Sequence, residues 1–271
     1  MNDLDALAKL VQALSPWRAH LVFIGGWAHR IHRFDLRANK LEYQPVATRD
    51  TDLAFANRAP IEGDIKAALI EQGFKEQLTG DHKPPAAHYT LGGENRGFYA
   101  EFLTPLIGSG VKRSGAQDAT MSMAGISAQK IRYLDILLVD PWLITLDPKS
   151  GLPLPSPMDV QVANPLCFMV QKFLIQKDRP AGKQAQDVLY IYDTIELFGA
   201  LLDEFHETWK RSISPALGEK LSNTVLTLSK DTFSNVNDMI RGAALIPKDR
   251  KLSPEQIQQT CQLAFEEILG A

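Results

Sequence analysis

The hydrophobic rhythm of the chain changes part-way along. Up to about residue 160, short apolar runs and two-residue alternation dominate; beyond it, apolar positions recur every three or four residues. In the first part, Leu4, Leu7, Val11 and Leu14 share one side at helical spacing, which predicts a helix over 3–14 ended by Ser15-Pro16. The apolar run at 20–24 predicts a strand, Gly25-Gly26 a tight turn, and Trp27 to about Lys40 a helix. A second strand follows in Thr48-Arg49-Asp50-Thr51-Asp52-Leu53-Ala54-Phe55. Its period of two puts Asp50 and Asp52 on one face and Thr51, Leu53 and Phe55 on the other. A helix is predicted over 61–72, closed by Gly73. Strands are predicted at 74–78 and 88–91 around the polar loop Thr79 to Ala87. A turn signal follows at Gly92-Gly93-Glu94-Asn95, then a strand over 97–103. Residues 131–138, 142–146 and 159–162 complete the strand candidates.

The segment Pro148 to Pro157, rich in Pro, Gly and Ser, is the best boundary in the chain. Asn164-Pro165 then reads as a helix cap with proline in the first helical position. Helices are predicted at about 165–177, 182–198, 200–211, 215–229, 231–242 and 254–269, the last opened by Ser253-Pro254-Glu255. The expected domains are therefore 1–160 and 161–271. No internal repeat or low-complexity tract interrupts either.

At 271 residues, with 45% hydrophobic residues, the chain can bury one large core or two smaller ones. A net charge of −3 excludes a bulk polycation, so any nucleic-acid contact must come from a local patch. Cys167 and Cys261 lie in no CxxC or Cys/His spacing, which argues against a zinc site or disulfide framework and fits a reducing, cytoplasmic compartment. The acidic, amphipathic start argues against a signal peptide, and no apolar run approaches the roughly 18 residues of a membrane span.

Candidate chemistry concentrates between residues 21 and 103. Paired carboxylates on one strand face suit Mg²⁺, which takes carboxylate and phosphate oxygens. Glu101 interrupts an apolar strand; it is either an edge residue facing water or a third carboxylate beside Asp50 and Asp52. Gly25-Gly26 is either a simple turn or a place where a phosphate approaches backbone amides at a helix start. Arg30, Arg33, Arg37 and Lys40 form a cationic stripe on the predicted helix. That stripe is either a solvated face or, through Arg30 and Arg33, a contact for a triphosphate or RNA backbone. His29 and His32 read as accessory. The Gly-rich stretch 104–117, with Lys112 and Arg113, is either a mobile loop near the site or a surface connection.

The order GGWAHRIHR, TRDTDLAF and YAEFLTP resembles the nucleotidyltransferase superfamily, the polymerase-beta-like fold. Within it the chain is most similar to the bacterial GG…TxDxDL branch that includes abortive-infection-type nucleotidyltransferase toxins. The superfamily's usual Gly-Ser is here Gly25-Gly26, as in that branch. The likeness covers roughly residues 20–200, and the final helices match nothing in it. It implies an α+β fold: an N-terminal mixed sheet flanked by helices, then an all-helical domain closing a cleft that holds the active site. It implies Asp50, Asp52 and Glu101 as catalytic and metal-binding acids, with Mg²⁺ or Mn²⁺ in a two-metal arrangement. Gly25, Gly26, Arg30, Arg33, Lys172, Lys183 and Asp187 would bind nucleotide, the last two within a K…R…KxxxD pattern that also contains Arg179. The plainer readings are an i,i+4 ion pair for Lys183 and Asp187, and a snorkelling side chain for Lys172.

The activity so implied is transfer of a nucleoside monophosphate from an NTP to an acceptor hydroxyl, with a tRNA end in a toxin-like role first among acceptors. An antitoxin partner goes with that role. The alternatives are nucleotidylation of an antibiotic or a protein, and a nucleotide-binding regulatory module without catalysis. A phosphohydrolase using the same acids finds no supporting HD or HxH spacing.

Overall fold

A computed structural model describes residues 3–56, 61–80, 84–92, 97–111, 115 and 117–270. The turn signal at 93–95, residues 81–83 of the polar loop, and Lys112 and Arg113 lie outside the described residues. The chain divides into two compact units. Residues 1–34 and 47–163 make the first; residues 35–46 and 164–271 make the second. Among the described residues no helix is long and apolar enough to cross a membrane.

The first unit is a mixed sheet with helices. Its strands are β1 (Leu21–Ile24), β2 (Asp50–Phe55), β3 (Lys75–Thr79), β4 (Ala86–Leu91), β5 (Phe98–Pro105), β6 (Thr120–Met123), β7 (Ile126–Ile131), β8 (Trp142–Leu146) and β9 (Met158–Val162). The order is β3-β4-β5-β2-β1-β9-β8, and the β6–β7 hairpin joins through β7 to the end of β5. β2 runs parallel to β5 and antiparallel to β1, while β1 runs parallel to β9.

Alternation decides the two faces. Leu53 and Phe55 of β2, Phe98 and Phe102 of β5, and Tyr89 of β4 enter one core with α1 (Asp3–Ala13), α2 (Gly25–His32) and α3 (Ile65–Glu71). Trp27 of α2, fully buried, meets Phe98 edge-on at 5.4 Å. With one face sealed by helices, every second residue of β2 and β5 must stand on the other.

Two sequence expectations are corrected here. The helix expected over 27–40 ends at His32, with Arg33 as its cap. The Asp35 carboxylate accepts from the Arg37 amide, and Asn39 bonds to Leu197 O and Glu196 O, so residues 35–39 are held in local and tertiary bonds that a helix would not allow. The cationic stripe is therefore broken: Arg37 and Lys40 leave the helix that carries Arg30. The strand expected over 131–138 is absent. β7 ends at Ile131, Tyr133 has φ +57, and Asp135–Leu138 forms a 3-10 turn that buries Ile136 and Leu137. The β6–β7 hairpin gave no sequence signal because its turn is Ala124-Gly125. Both residues have positive φ, 45° and 77°, a conformation normally announced by Asn-Gly.

The second unit is helical: α4 (Pro165–Ile175), α5 (Ala181–Phe198), α6 (Leu202–Thr208), α7 (Ser214–Phe233), α8 (Asp238–Ala244) and α9 (Pro254–Leu269). Asn164 caps α4, accepting from the Leu166 amide at 2.9 Å, and Pro165 is its first residue. A polar cluster binds the returning segment 35–46. Arg250 lies over the Tyr43 ring at 3.3 Å and pairs with the fully buried Asp193 and with Glu196. The Tyr43 hydroxyl donates to Glu196 at 2.6 Å. Burial first, then Asp193 and Glu196, pushes that hydroxyl far above its usual value, so it stays a donor at neutral pH.

Removing one partner of a buried ion pair strands the other. Asp193→Ala is expected to lower unfolding stability by about 3 kcal/mol, read by urea titration, and Asp193→Asn by less. An unchanged midpoint for Asp193→Ala contradicts this account of the cluster.

Candidate active site

The acid face is built by register. In the parallel β2–β5 pair, Asp50 lies opposite Tyr99 and Asp52 opposite Glu101. Residues in register on neighbouring strands share a face about 5 Å apart, so the three carboxylates sit together on the face the helices leave. All three are half-buried. On the far side of Asp52 the partner is Ile24, the last residue of β1. The next residue, Gly25, has φ +64 and begins α2. A Cβ there would overlap the Asp52 carboxylate. The glycine is thus required twice, once by its left-handed backbone and once by the acid packed against it. The glycine and DxD motifs, far apart in sequence, are one local structure.

The acids are held from their outer sides. Thr48 Oγ1 donates to Asp50 Oδ1. His88 Nε2 lies 3.3 Å from Glu101 Oε1. Burial raises the Glu101 carboxyl above its usual value; His88 opposes that rise and Asp50 adds to it. Tyr99, in the same row as Asp50, is pushed up to about 12, first by burial and then by Asp50, Glu101 and Asp52. His88 and Tyr99 were missed by the sequence reading. Alternation could have found them: Tyr99 stands two residues before Glu101, and His88 sits between the buried Ala87 and Tyr89.

The donor set suits a hard divalent cation, since carboxylate oxygens are its preferred ligands. The absence of a side chain at Gly25 leaves the Asp52 carboxylate its place at the start of α2, where a helix dipole favours negative charge. Among the described residues, no group of three or more His, Cys, Asp or Glu is placed to hold a metal ion.

The expected phosphate ligands are placed unevenly. Arg30 is paired through Nη1 with Asp3 at 3.0 Å and lies 3.9 Å from the Trp27 ring centroid, so part of its charge is already met. Arg33 is half-buried at the end of α2. In the second unit, Lys172 and Asp187 are both buried and paired at 3.0 Å, and Arg179 holds the other Asp187 oxygen at 3.0 Å. Lys172 Nζ also lies 4.9 Å from the Phe168 ring centroid. It does not snorkel outward: burial and its acid partner hold it inside. Lys183 is exposed and donates to Gln186 at 3.2 Å, so the contact its spacing suggested with Asp187 is replaced by Lys172 and Arg179. A cavity of about 310 Å³ lies between Ser229, Phe233, Gln262 and Phe265 of the second unit; none of the three acids lines it.

A nucleotidyltransferase family profile matches residues 2–214 of the chain. The chain belongs to the nucleotidyltransferase family. The match spans β1, α2, β2 and β5, and so includes the whole acid face of this nucleotidyltransferase. Among solved structures it is similar to MenT4, a nucleotidyltransferase toxin from Mycobacterium tuberculosis H37Rv. Identity is 14% and the TM-score 0.41, over 98% of this chain and 82% of that one. The family assignment rests on the sequence profile. No curated protein matches the chain.

Two outcomes test this geometry. Gly25→Ala is expected to destabilise by more than about 1 kcal/mol, because alanine resists positive φ and meets Asp52. In an Asp52→Ala background the same change costs less, since only the backbone strain remains; equal costs in thermal melts contradict the packing of Gly25 on Asp52. The second concerns Glu101. The folded, metal-free chain keeps its proton at pH values where the unfolded chain has released it. Stability therefore falls as pH rises from the ordinary glutamate value through the raised one. Glu101→Gln flattens that part of a melting-temperature profile, and an unaltered slope contradicts it.

Proposed function

We propose that this chain transfers a nucleoside monophosphate from an NTP to an acceptor hydroxyl, with Asp50, Asp52 and Glu101 carrying the reaction. The observation that supports it most is the pairing of Asp52 with Glu101 in register, beside a glycine packed on the same acid. Asp50 and Asp52 would hold Mg²⁺, or Mn²⁺, together with the phosphate oxygens of the nucleotide. Such sites need few protein ligands, because the substrate supplies the rest. Bound there, the cation supplies charge neutralisation at the phosphates and at the attacking and leaving oxygens.

The chain's own residues supply the remainder. The amides of Gly25 and Gly26 open α2 and offer donors to phosphate oxygens. Arg30 and Arg33 add local positive charge that a net charge of −3 does not. Glu101, on the same face, would either help to ligate the cation or take the proton of the acceptor hydroxyl at its carboxylate. The hydroxyl oxygen then bonds to the α-phosphorus as the bond to the β-phosphate oxygen breaks, and pyrophosphate leaves.

For the acceptor we place a tRNA end first, on the motif likeness to the toxin-type branch, with a cognate antitoxin as partner. Protein side chains and small molecules such as aminoglycosides follow. Incubation of the protein with α-labelled NTPs and purified tRNA, bulk protein or aminoglycosides identifies the class by where label appears. Asp50→Ala and Asp52→Ala are each expected to abolish transfer, a loss of at least about 10³-fold, while keeping a folded melting transition. Full activity in either variant with Mg²⁺ and NTP contradicts the reading.

A further inference from the structure

Alternation along β4 buries Ala87, Tyr89 and Leu91 and leaves His88 on the acid face. β4 pairs with β5 so that His88 stands directly opposite Glu101. One transverse row across the sheet therefore reads His88, Glu101, Asp52. The imidazole is itself fixed. It stacks on Tyr99 of β5, with ring centroids 5.8 Å apart and planes 17° apart. Thr79 of β3 brings its Oγ1 to 3.3 Å from the same Nε2 that faces Glu101. Three strands thus fix a ring whose contact atom addresses one of the two Glu101 oxygens, Oε1.

A glutamate side chain is long and flexible, and a free one would sample many positions over the sheet. Asp50 is restrained by Thr48, and Asp52 by its packing on Gly25. Of the two acids at the ends of the site, Asp50 has a hydroxyl on one oxygen and Glu101 has an imidazole on one oxygen. That is the pattern of ligating carboxylates whose outer oxygen is tied by a neighbouring polar group while the other serves the ion.

We infer that His88 is a positioning residue for cation binding. It holds Oε1 of Glu101 and leaves Oε2 to the divalent ion that Asp50 and Asp52 share. This rests on the nucleotidyl-transfer reading above. His88 does not bind the ion itself: its Nε2 is already engaged, and Mg²⁺ prefers oxygen ligands.

Mn²⁺ is the probe, read by electron paramagnetic resonance with a non-hydrolysable NTP analogue present and compared with the analogue and Mn²⁺ without protein. His88→Ala is expected to weaken Mn²⁺ binding roughly 10–100-fold, the usual cost of removing such a support. His88→Phe keeps the stack on Tyr99 and lacks the nitrogen, and is expected to match His88→Ala. His88→Gln, whose amide nitrogen reaches a similar place, recovers most of the affinity. In a Glu101→Gln background, His88→Phe has no further effect. Wild-type affinity in a folded His88→Phe protein overturns the inference, as does a loss of equal size in the Glu101→Gln background. The fate of the parent reading is visible in the same titrations. A wild-type protein that binds no Mn²⁺ overturns the cation site and this role together. A wild-type protein that binds Mn²⁺, loses it in Asp50→Asn and keeps it in His88→Phe overturns the role of His88 alone.

Discussion

Like charges on neighbouring strands repel, and in this protein the repulsion is imposed by the register of β2 against β5. Asp52 cannot move away from Glu101 without a slip of one residue. Such a slip of β2 would carry Leu53 and Phe55 out of the core and turn Asp50 and Asp52 into it. The apolar face under α1, α2 and α3 therefore sets the position of the polar face. Burial first raises the Glu101 carboxyl, against the opposing effect of His88, and the nearby Asp50 adds to the rise.

Gly25 couples that strand pair to the start of α2. Its left-handed backbone and missing side chain let the Asp52 carboxylate lie where other residues would put a Cβ. The helix start is thereby held next to an acid rather than beside an apolar wall.

Much of this was legible in the sequence because it depends on period and on single residues. Asp50 and Asp52 share a face by simple alternation, Glu101 stands out as a charge in an apolar strand, and Asn164-Pro165 marks a helix start that the structure contains. What was not legible depends on pairing across long separations. No local pattern says that β2 lies beside β5, or that β4 brings His88 to Glu101. The early end of α2 reflects bonds from Asn39 to α5, about 160 residues onward, which helical propensity in the segment does not register. The exposed Lys183 and the buried Lys172–Asp187 pair show the same limit: an i,i+4 spacing allowed one partner, and tertiary packing chose another. The Ala-Gly turn of the β6–β7 hairpin shows it locally, since the required positive φ was met without the residues that usually advertise it.

The central claim is that Asp50, Asp52 and Glu101 converge on divalent cation when nucleotide is bound. Anomalous diffraction from crystals grown with Mn²⁺ and a non-hydrolysable NTP analogue tests it most directly. The account predicts anomalous density bounded by carboxylate oxygens of all three residues and by the phosphates. Nucleotide bound with Mn²⁺ density that touches none of the three acids, or that leaves Glu101 turned toward β4 and out of reach, would contradict it.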